Sequence, residues 1–336
     1  NIPARRILKE LGFENVYVVK EQELPDGDFP TVSYPNPEAA EAFELGLKLA
    51  KEVDADLVLA TDPDADRLGV RVKDKNGEYH DLTGNMSGCL LANYELSQRK
   101  AVNGSLPEDG ALIKTIVTTN LADAIAKGYG VNLIEVLTGF KFIGQQILGF
   151  ENSGKGSYLF GFEESYGCLI GTYARDKDAI VATMALCEAA AYYKTQGKTL
   201  WDAMIEMYEQ FGYYKDAIQS VTMKGIEGLQ KIQEIMNSLR QNPPAEFAGH
   251  KVTAVRDYKA DTITDVATGA VKPTGLPNSN VLYYELTDDA WVCVRPSGTE
   301  PKVKFYYGVK GTSLADADEK SDIMGKAVLD MVDSMK

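Results

Sequence analysis

Three short segments of the chain combine carboxylate, hydroxyl and basic side chains in patterns that suit metal, sugar and phosphate chemistry. The first segment (residues 61–67, the metal loop) carries Asp62, Asp64 and Asp66 at every second position, directly after an apolar run. Three carboxylates so spaced converge only if the backbone curls around one point, where they offer hard oxygen ligands to Mg²⁺. Because three acids without a cation repel one another, the spacing predicts a magnesium site.

Other kinds of acidic loop fit the metal loop less well. An EF-hand loop that starts at Asp62 needs glycine at its sixth position and an acid at its twelfth, where the chain has Arg67 and Lys73. A phosphatase-type D-x-D motif is closer, although Pro63 and Arg67 do not suit it. This match leaves a metal-dependent sugar phosphatase that uses Asp62 as an alternative function, and an acidic turn without a ligand as the structural alternative.

The second segment (residues 161–167, the sugar loop) follows the apolar run 158–160 and places Glu163 and Ser165 between two glycines. A carboxylate and a hydroxyl two residues apart can accept and donate hydrogen bonds to neighbouring sugar hydroxyls. The flanking glycines let the backbone approach a ligand closely. The pattern favours a sugar-binding loop, and an acidic turn is its structural alternative.

The third segment (residues 295–302, the phosphate loop) lies between two apolar runs and reads Arg-Pro-Ser-Gly-Thr-Glu-Pro-Lys. Arg295 offers a bidentate guanidinium fork, and the hydroxyls of Ser297 and Thr299 with the backbone amide of Gly298 complete an oxyanion cradle. The segment is not a Walker loop, since no G-x-x-x-x-G-K-[ST] motif occurs in the sequence. The spacing predicts a phosphate site.

Composition excludes several classes of protein. The 336 residues carry a net charge of -14, so the surface field repels nucleic acid and anionic membranes, and neither is an expected partner. The four cysteines are far apart, which fits a reducing compartment, favours a cytoplasmic location and argues against a disulfide scaffold or a zinc ribbon. The two histidines nearly exclude histidine-based triads and metal sites. No apolar run is long enough to span a membrane.

Helical and strand patterns alternate along the chain, which predicts an α/β fold made of two α/β domains with mixed sheets and a smaller α+β domain. The expected domains are 1–80 with the metal loop, 81–212 with the sugar loop and 213–336 with the phosphate loop. Within the first domain, the patterns predict a strand at 16–19, a helix from Asn36 to about 53 and a buried parallel strand at 57–60. A helix that leads straight into a strand also indicates a βαβ unit without its opening strand, so the first domain is expected to be incomplete.

The three loops, in this order and at domain-scale spacing, resemble those of the α-D-phosphohexomutase family, close to its phosphoglucomutase/phosphopentomutase-like branch. The resemblance covers essentially the whole chain. It implies an isomerase of carbohydrate metabolism that interconverts hexose 1-phosphate and hexose 6-phosphate through glucose 1,6-bisphosphate. It also implies that the three aspartates bind Mg²⁺ together with one oxygen of a phosphoserine.

The resemblance assigns roles residue by residue. Arg67 would polarise the transferring phosphoryl group, and Lys114 matches a lysine suspected of proton transfer. Glu163 and Ser165 would hold ring hydroxyls. Residues of a specificity loop and of phosphate-binding positions complete the expected site: Thr138, Gly139 and Lys141 for the sugar; Arg295, Ser297, Gly298, Thr299, Arg175 and Lys177 for phosphate.

One family motif is missing. The nucleophilic serine of the family lies in a T-x-S-H-N-P loop, which does not occur here, and the segment around Ser33 has the wrong spacing and lacks the histidine. The sequence is therefore interpreted as a C-terminal portion that is inactive alone and whose partner is the N-terminal domain of the same protein. Alternatives are a non-catalytic sugar-phosphate-binding fragment, and phosphomannomutase or phosphopentomutase specificity.

Overall fold

The structure is a computed structural model that describes residues 2–223, 225–298 and 300–335. The chain divides into two compact units between Phe211 and Gly212. The predicted fold class is confirmed, with α/β architecture and a mixed sheet in the first unit and a smaller α+β unit after it. Among the described helices, none has the length and apolar character needed to cross a membrane.

Helices and strands alternate through the first unit. Its helices are α1 (Ile2–Glu10), α2 (Glu44–Val53), α3 (Gly84–Asn103), α4 (Leu121–Tyr129), α5 (Phe140–Ser153), α6 (Ala179–Thr195) and α7 (Leu200–Phe211). Its strands are β1 (Leu57–Thr61), β2 (Leu68–Lys73), β3 (Tyr79–Leu82), β4 (Gly110–Thr115), β5 (Asn132–Val136), β6 (Ser157–Glu163) and β7 (Gly167–Leu169). From α3 to α7 the elements follow the predicted alternation of helices and strands, with the short β7 as an addition.

Strands β1, β2 and β3 form a small antiparallel sheet in that order. The prediction of a buried parallel strand at 57–60 is therefore wrong, because β1 is half-buried and runs antiparallel to β2 from Leu57↔Val72 to Thr61↔Leu68. An apolar run alone does not give strand direction, and the return strand here follows after a turn of only six residues, 62–67. The metal loop is consequently the tip of a hairpin.

The second sheet of this unit has the order β5-β4-β6-β7. Strands β5, β4 and β6 are parallel, so their carboxyl ends meet at one edge, and β7 returns antiparallel to β6 as a hairpin. The strands are buried by helices, and Ile113, Phe160 and Phe162 have no exposed surface. This rigid layer fixes the ends of three strands, from which the sugar loop and the Thr138 segment extend.

The first sixty residues differ from the prediction in two further ways. Residues 16–19 form no strand, and the predicted helix at Asn36 begins only at Glu44, after a 3₁₀ turn over Ala40–Phe43. The Asn36 side chain accepts a hydrogen bond from the Glu38 N–H, 2.9 Å, so it caps a local turn instead of a helix. A cavity of 1410 Å³ lies between this segment, β1 and α6.

The second unit is an antiparallel sheet covered by helices. Its helices are α8 (Gly225–Gln241) and α9 (Leu314–Ser334), and its strands are β8 (Tyr213–Thr222), β9 (Glu246–Phe247), β10 (His250–Asp257), β11 (Thr262–Asp265), β12 (Val271–Lys272), β13 (Leu282–Leu286), β14 (Trp291–Pro296) and β15 (Lys302–Gly311). The sheet order is β12-β11-β10-β13-β14-β15-β8, with β9 beside β10. Met236 of α8 and Val328 of α9 pack into its core with Phe305. The β14–β15 hairpin carries the phosphate loop.

Gly88 shows how tightly α3 packs on the second sheet. A Cβ atom at this position would lie 2.1 Å from Cδ2 of Phe162. We expect Gly88→Ala to lower the free energy of unfolding by about 1–3 kcal/mol through overpacking. Gly149, in α5, has nothing within 4 Å of the same position. Gly149→Ala should raise the free energy of unfolding by about 0.5–1 kcal/mol, because alanine favours the helical conformation more than glycine does. Urea denaturation measures both, and equal effects would contradict the packing argument.

Candidate active site

The metal loop is a tight turn that closes on its own backbone. Asp62 N–H donates to the Arg67 carbonyl oxygen at 3.4 Å, and Ala65 N–H donates to the Asp62 carbonyl oxygen at 3.1 Å. Ala65 has a positive φ of 58°, which turns the chain back on itself. Its carbonyl oxygen accepts the N–H of Ala179, the first residue of α6, at 3.1 Å. The loop is thereby attached to a helix N-terminus, whose dipole favours negative charge.

The three aspartates of the metal loop can each turn one carboxylate oxygen toward a common point, and such atoms lie within 4.8 Å of one another. The Oδ1 atom of Asp62 accepts the N–H groups of Asp66 and Arg67, both at 3.0 Å. The Oδ1 atom of Asp66 is buried and has no hydrogen-bond partner among the described residues. A buried carboxylate oxygen without a partner is costly, and a hard cation supplies what it lacks. The residues therefore fit Mg²⁺.

Two basic side chains flank these carboxylates. The Nε atom of Arg67 lies 3.8 Å from Oδ2 of Asp62 and 3.9 Å from Oδ1 of Asp66. The ammonium group of Lys177 lies 2.8 Å from Oδ2 of Asp66, which leaves Oδ1 of that residue for another partner. Lys177 was predicted at a phosphate-binding position, and the structure also brings it to the metal loop. Burial, together with the negative charges of Asp66 and Asp64, raises the pKa of Asp62 to about 6.

The sugar loop is the turn of the β6–β7 hairpin, closed by the pair Glu163↔Gly167. Main-chain groups join it directly to the metal loop. Leu68 N–H donates to the Tyr166 carbonyl oxygen at 3.0 Å, and Arg67 pairs with Gly167 in an isolated antiparallel bridge. The metal loop and the sugar loop thus lie side by side.

The absence of a side chain at Gly167 allows Lys177 and Glu163 to approach each other. A Cβ atom there would lie 2.2 Å from Cδ of Lys177 and 3.2 Å from Oε1 of Glu163. Glu163 is only 8% exposed. Burial and the negative charge of Glu164 raise the pKa of Glu163 to about 7, although Lys177 and Arg67 oppose the shift. A carboxyl group in this state can accept or donate a hydrogen bond near neutral pH.

The Thr138 segment connects β5 to α5. Thr138 is half-buried, and its hydroxyl oxygen is a buried atom without a hydrogen-bond partner among the described residues. Gly139 has a φ of 117°, which allows the sharp entry into α5. The Lys177 ammonium group lies 5.9 Å from the Phe140 ring centre, so this segment is near the metal and sugar loops. The side chain of Lys141 is exposed, and its ammonium group lies 4.9 Å from the Phe142 ring centre.

Lys114 and Arg175 are engaged by other groups of the first unit. The Lys114 side chain has no exposed surface, and its ammonium group contacts Asp123 and lies 3.6 Å from Glu135. The guanidinium group of Arg175 pairs with Glu151 of α5 and donates to the Thr172 carbonyl oxygen at 2.5 Å. These contacts hold both cations in place, and the roles in proton transfer and phosphate binding stay predictions.

The phosphate loop belongs to the second unit. Ser297 N–H donates to the Lys302 carbonyl oxygen at 2.7 Å, which closes the hairpin. The Ser297 hydroxyl accepts the Glu300 N–H at 3.3 Å. Arg295 is half-buried at the end of β14, and Gly298 is exposed. Thr299 lies outside the described residues. The loop keeps the guanidinium group and the Gly298 amide on one short turn, as a phosphate cradle requires.

Two further groups have internal partners. The carboxylates of Asp74 and Glu78 and the ring of His80 could also converge on one point, but His80 is 3.0 Å from Asp74 and stacks on Trp201 at 4.0 Å. The Ser33 hydroxyl donates to the Glu41 carboxylate at 2.6 Å. The stacking of His80 on Trp201 fastens β3 to α7. The hydrogen bond from Ser33 to Glu41 fixes a surface loop.

The sequence interpretation missed the residues that support the sugar loop. Glu164 accepts hydrogen bonds from the hydroxyls of Thr115 and Thr118, at 3.1 and 3.3 Å. Gly84, the first residue of α3, contacts the loop backbone. The available signal was a threonine at the end of a buried strand and a second one three residues later, since threonine hydroxyls that are buried need partners.

Comparison with known proteins matches three family models along the chain. Residues 2–77 match alpha/beta/alpha domain II of phosphoglucomutase/phosphomannomutase, residues 83–211 match alpha/beta/alpha domain III, and residues 236–325 match the C-terminal domain. Together these models cover most of the chain.

Individual relatives agree with these models. A phosphoglucomutase of Staphylococcus aureus strain MRSA252 is 38% identical over 318 residues, which are 95% of this chain and 56% of the relative. The chain therefore spans little more than half the length of such relatives. The fold resembles a crystal structure of a putative phosphomannomutase from Thermus thermophilus, with a TM-score of 0.58, 19% identity, and 89% and 51% of the two chains covered. A family protein from Burkholderia thailandensis gives a TM-score of 0.56, 20% identity and 97% and 57% coverage.

The raised pKa of Asp62 makes cation binding depend on pH. A metal ligand must lose its proton, so we expect the affinity for Mg²⁺ to fall about tenfold per pH unit below pH 6 and to level off above pH 7. Calorimetric titration between pH 5 and pH 8 measures this. Asp62→Asn should abolish binding, whereas Asp330→Asn, on the exposed side of α9, should not. An affinity that is constant over this range would contradict the assignment.

Proposed function

The chain belongs to the phosphoglucomutase/phosphomannomutase family, and on this premise we propose that the protein of which it is part interconverts hexose 1-phosphate and hexose 6-phosphate. The reaction would pass through a bisphosphate such as glucose 1,6-bisphosphate. The proposal carries the activity of relatives named phosphoglucomutase to a chain that spans 56% of their length. It also places the protein in the cytoplasm, where sugar phosphates occur.

The observation that carries the proposal is the main-chain connection between the metal loop and the sugar loop. The Leu68–Tyr166 hydrogen bond of 3.0 Å and the Arg67–Gly167 bridge hold a cation-binding turn beside a carboxylate suited to sugar hydroxyls. Phosphoryl transfer to a sugar needs these two functions side by side, since its catalysis consists mainly of positioning and charge neutralisation.

In the proposed mechanism, Asp62, Asp64 and Asp66 hold Mg²⁺, which neutralises charge on the transferring phosphoryl group when it is bound. Arg67 adds a guanidinium group to the same region, because its Nε lies within 3.9 Å of two of the aspartates. Lys177 orients Asp66 and supplies a second positive charge for phosphate. Arg175 is the further basic residue of this segment.

The sugar would be held by side chains that can accept hydrogen bonds from its hydroxyls or donate hydrogen bonds to them. Glu163, with a pKa of about 7, and Ser165 contact ring hydroxyls. Thr138, whose buried hydroxyl has no hydrogen-bond partner among the described residues, would also contact the sugar, together with Gly139 and Lys141. In the second unit, Arg295, Ser297, Gly298 and Thr299 grip the phosphate that is not transferred.

The transfer itself needs a phosphoserine. The P–O bond to the serine breaks as a P–O bond forms to the free hydroxyl of the sugar monophosphate, and that hydroxyl gives its proton to a general base. The bisphosphate then returns its other phosphoryl group to the serine. Because no T-x-S-H-N-P loop occurs in these 336 residues, we propose that the N-terminal domain of the same protein supplies this serine.

Two narrower possibilities follow from the same residues. The first is that the chain alone is a non-catalytic fragment that binds sugar phosphate. The missing T-x-S-H-N-P motif favours this possibility. The loops also suit mannose and pentose phosphates, so phosphomannomutase or phosphopentomutase specificity is the alternative for the whole protein.

The chain alone should bind sugar phosphate but not turn it over. The experiment incubates the chain with glucose 1-phosphate, Mg²⁺ and catalytic glucose 1,6-bisphosphate, and titrates it separately with glucose 6-phosphate. Substantial turnover would contradict the need for an external serine, and a folded chain that binds no glucose 6-phosphate would contradict the sugar-phosphate site. Release of inorganic phosphate without added bisphosphate would favour a phosphatase. Sequencing upstream of the codon for Asn1 should reveal a T-x-S-H-N-P loop.

Arg295 should account for a large part of phosphate affinity. Replacing it with alanine removes a charge-assisted hydrogen-bonding group, so we expect glucose 6-phosphate binding to weaken by about 1.5–3 kcal/mol. Lys326→Ala, on the exposed side of α9, removes the same charge and should leave the affinity unchanged. Calorimetry compares the two variants, and equal affinities of Arg295→Ala and the unmodified chain would reject the role of Arg295.

A further inference from the structure

Glu164 lies between Glu163 and Ser165, the two residues of the sugar loop that are proposed to contact sugar. Its side chain forms hydrogen bonds with buried residues near the end of β4. One carboxylate oxygen, Oε2, accepts the hydroxyls of Thr115 at 3.1 Å and Thr118 at 3.3 Å. These two hydroxyl oxygens are 2.9 Å apart, and both threonines are at most 1% exposed. The carboxylate therefore receives two buried donors from the end of β4, the central parallel strand.

The other oxygen of the same carboxylate faces the site. The Ser165 hydroxyl donates to Oε1 of Glu164 at 3.4 Å, which is a long hydrogen bond. Glu164 thus contacts the buried threonines through one oxygen and a proposed sugar-binding hydroxyl through the other. Because each hydroxyl has a single proton, a Ser165 that donates to Glu164 presents its lone pairs to a ligand.

The backbone of the sugar loop also packs against Gly84, the first residue of α3. A Cβ atom at Gly84 would lie 2.1 Å from the Glu164 carbonyl oxygen and 2.5 Å from the Tyr166 nitrogen. Tyr166 itself has a positive φ of 62°, which a tyrosine adopts only where its surroundings hold it. The loop conformation is therefore imposed by α3 and β4 rather than by its own sequence.

We propose that Glu164 is a positioning residue, which fixes the backbone and the Ser165 hydroxyl of the sugar loop through Thr115 and Thr118 so that Glu163 and Ser165 point at the sugar. The sugar as ligand rests on the proposed function, whereas the fixing of the loop does not. The negative charge of Glu164 also contributes to the raised pKa of Glu163, which agrees with their proximity.

The role of Glu164 predicts which substitutions disturb the loop. Glu164→Gln and Thr118→Val each remove part of the contact at nearly constant volume, whereas Thr118→Ser keeps the hydroxyl. We expect the first two to weaken glucose 6-phosphate binding about tenfold, since hydrogen bonds to charged groups are the stronger ones, and Thr118→Ser to restore binding. The double variant Glu164→Gln/Thr118→Val should lose little more than either single one, because both break the same contact.

Hydrogen exchange followed by mass spectrometry tests the fixing of the loop without any ligand. Amides of residues 163–167 should exchange about tenfold faster in Glu164→Gln and Thr118→Val than in the unmodified chain. Glu52→Gln, on the exposed side of α2, removes the same charge and should change neither exchange nor binding. Melting temperatures measured alongside separate this local effect from general loss of stability.

Two outcomes overturn the proposal. One is unchanged exchange of residues 163–167 in Glu164→Gln, and the other is a Thr118→Ser variant that behaves like Thr118→Val. If the unmodified chain binds no glucose 6-phosphate, the proposed function is contradicted, and the exchange arm still decides whether Glu164 positions the loop.

Discussion

The candidate site depends on one short connection, the hydrogen bond from the Leu68 amide to the Tyr166 carbonyl with the adjoining Arg67–Gly167 bridge. It fastens the tip of an antiparallel hairpin to the tip of another hairpin from a different sheet. The charged residues Arg67 of the metal loop and Glu163 of the sugar loop both pair with Gly167 at this connection. Together with the hydrogen bonds inside the metal loop and the bond from Ala179 to Ala65, it holds the aspartates close to one another against their mutual repulsion.

Charge in the site is balanced locally against an acidic background. The chain has a net charge of -14, yet Arg67 and Lys177 stand directly beside the aspartates. Burial raises the pKa of Asp62 to about 6 and that of Glu163 to about 7, although the positive charges of Lys177 and Arg67 lower the pKa of Glu163. Acidic and basic groups side by side suit a divalent cation and a phosphate bound together, because each of these ligands offsets the charge of the other.

The sequence was enough to predict the family and the fold class, but much of the geometry around the loops could not be predicted from it. Hydrophobic periodicity located the helices and parallel strands from α3 to α7, because these are buried and strongly patterned. It gave the wrong direction for β1, since the apolar run 57–60 is the same in a parallel strand and in a hairpin. The spacing of Asp62, Asp64 and Asp66 marked the metal loop. Glu164 could not be recognised as a support, because its partners Thr115 and Thr118 are about fifty positions away and only the folded sheet brings them together.

The connection between the two hairpins is made by backbone atoms, and this has a consequence for how such proteins diverge. A point substitution that keeps the backbone conformation of the loops leaves the amide and the carbonyl where they were, so the joint stays intact. A deletion or insertion of one residue in either hairpin would instead shift the strand register and turn the donor away from its acceptor. The joint therefore constrains the length of both loops more strictly than it constrains the side chains at their tips.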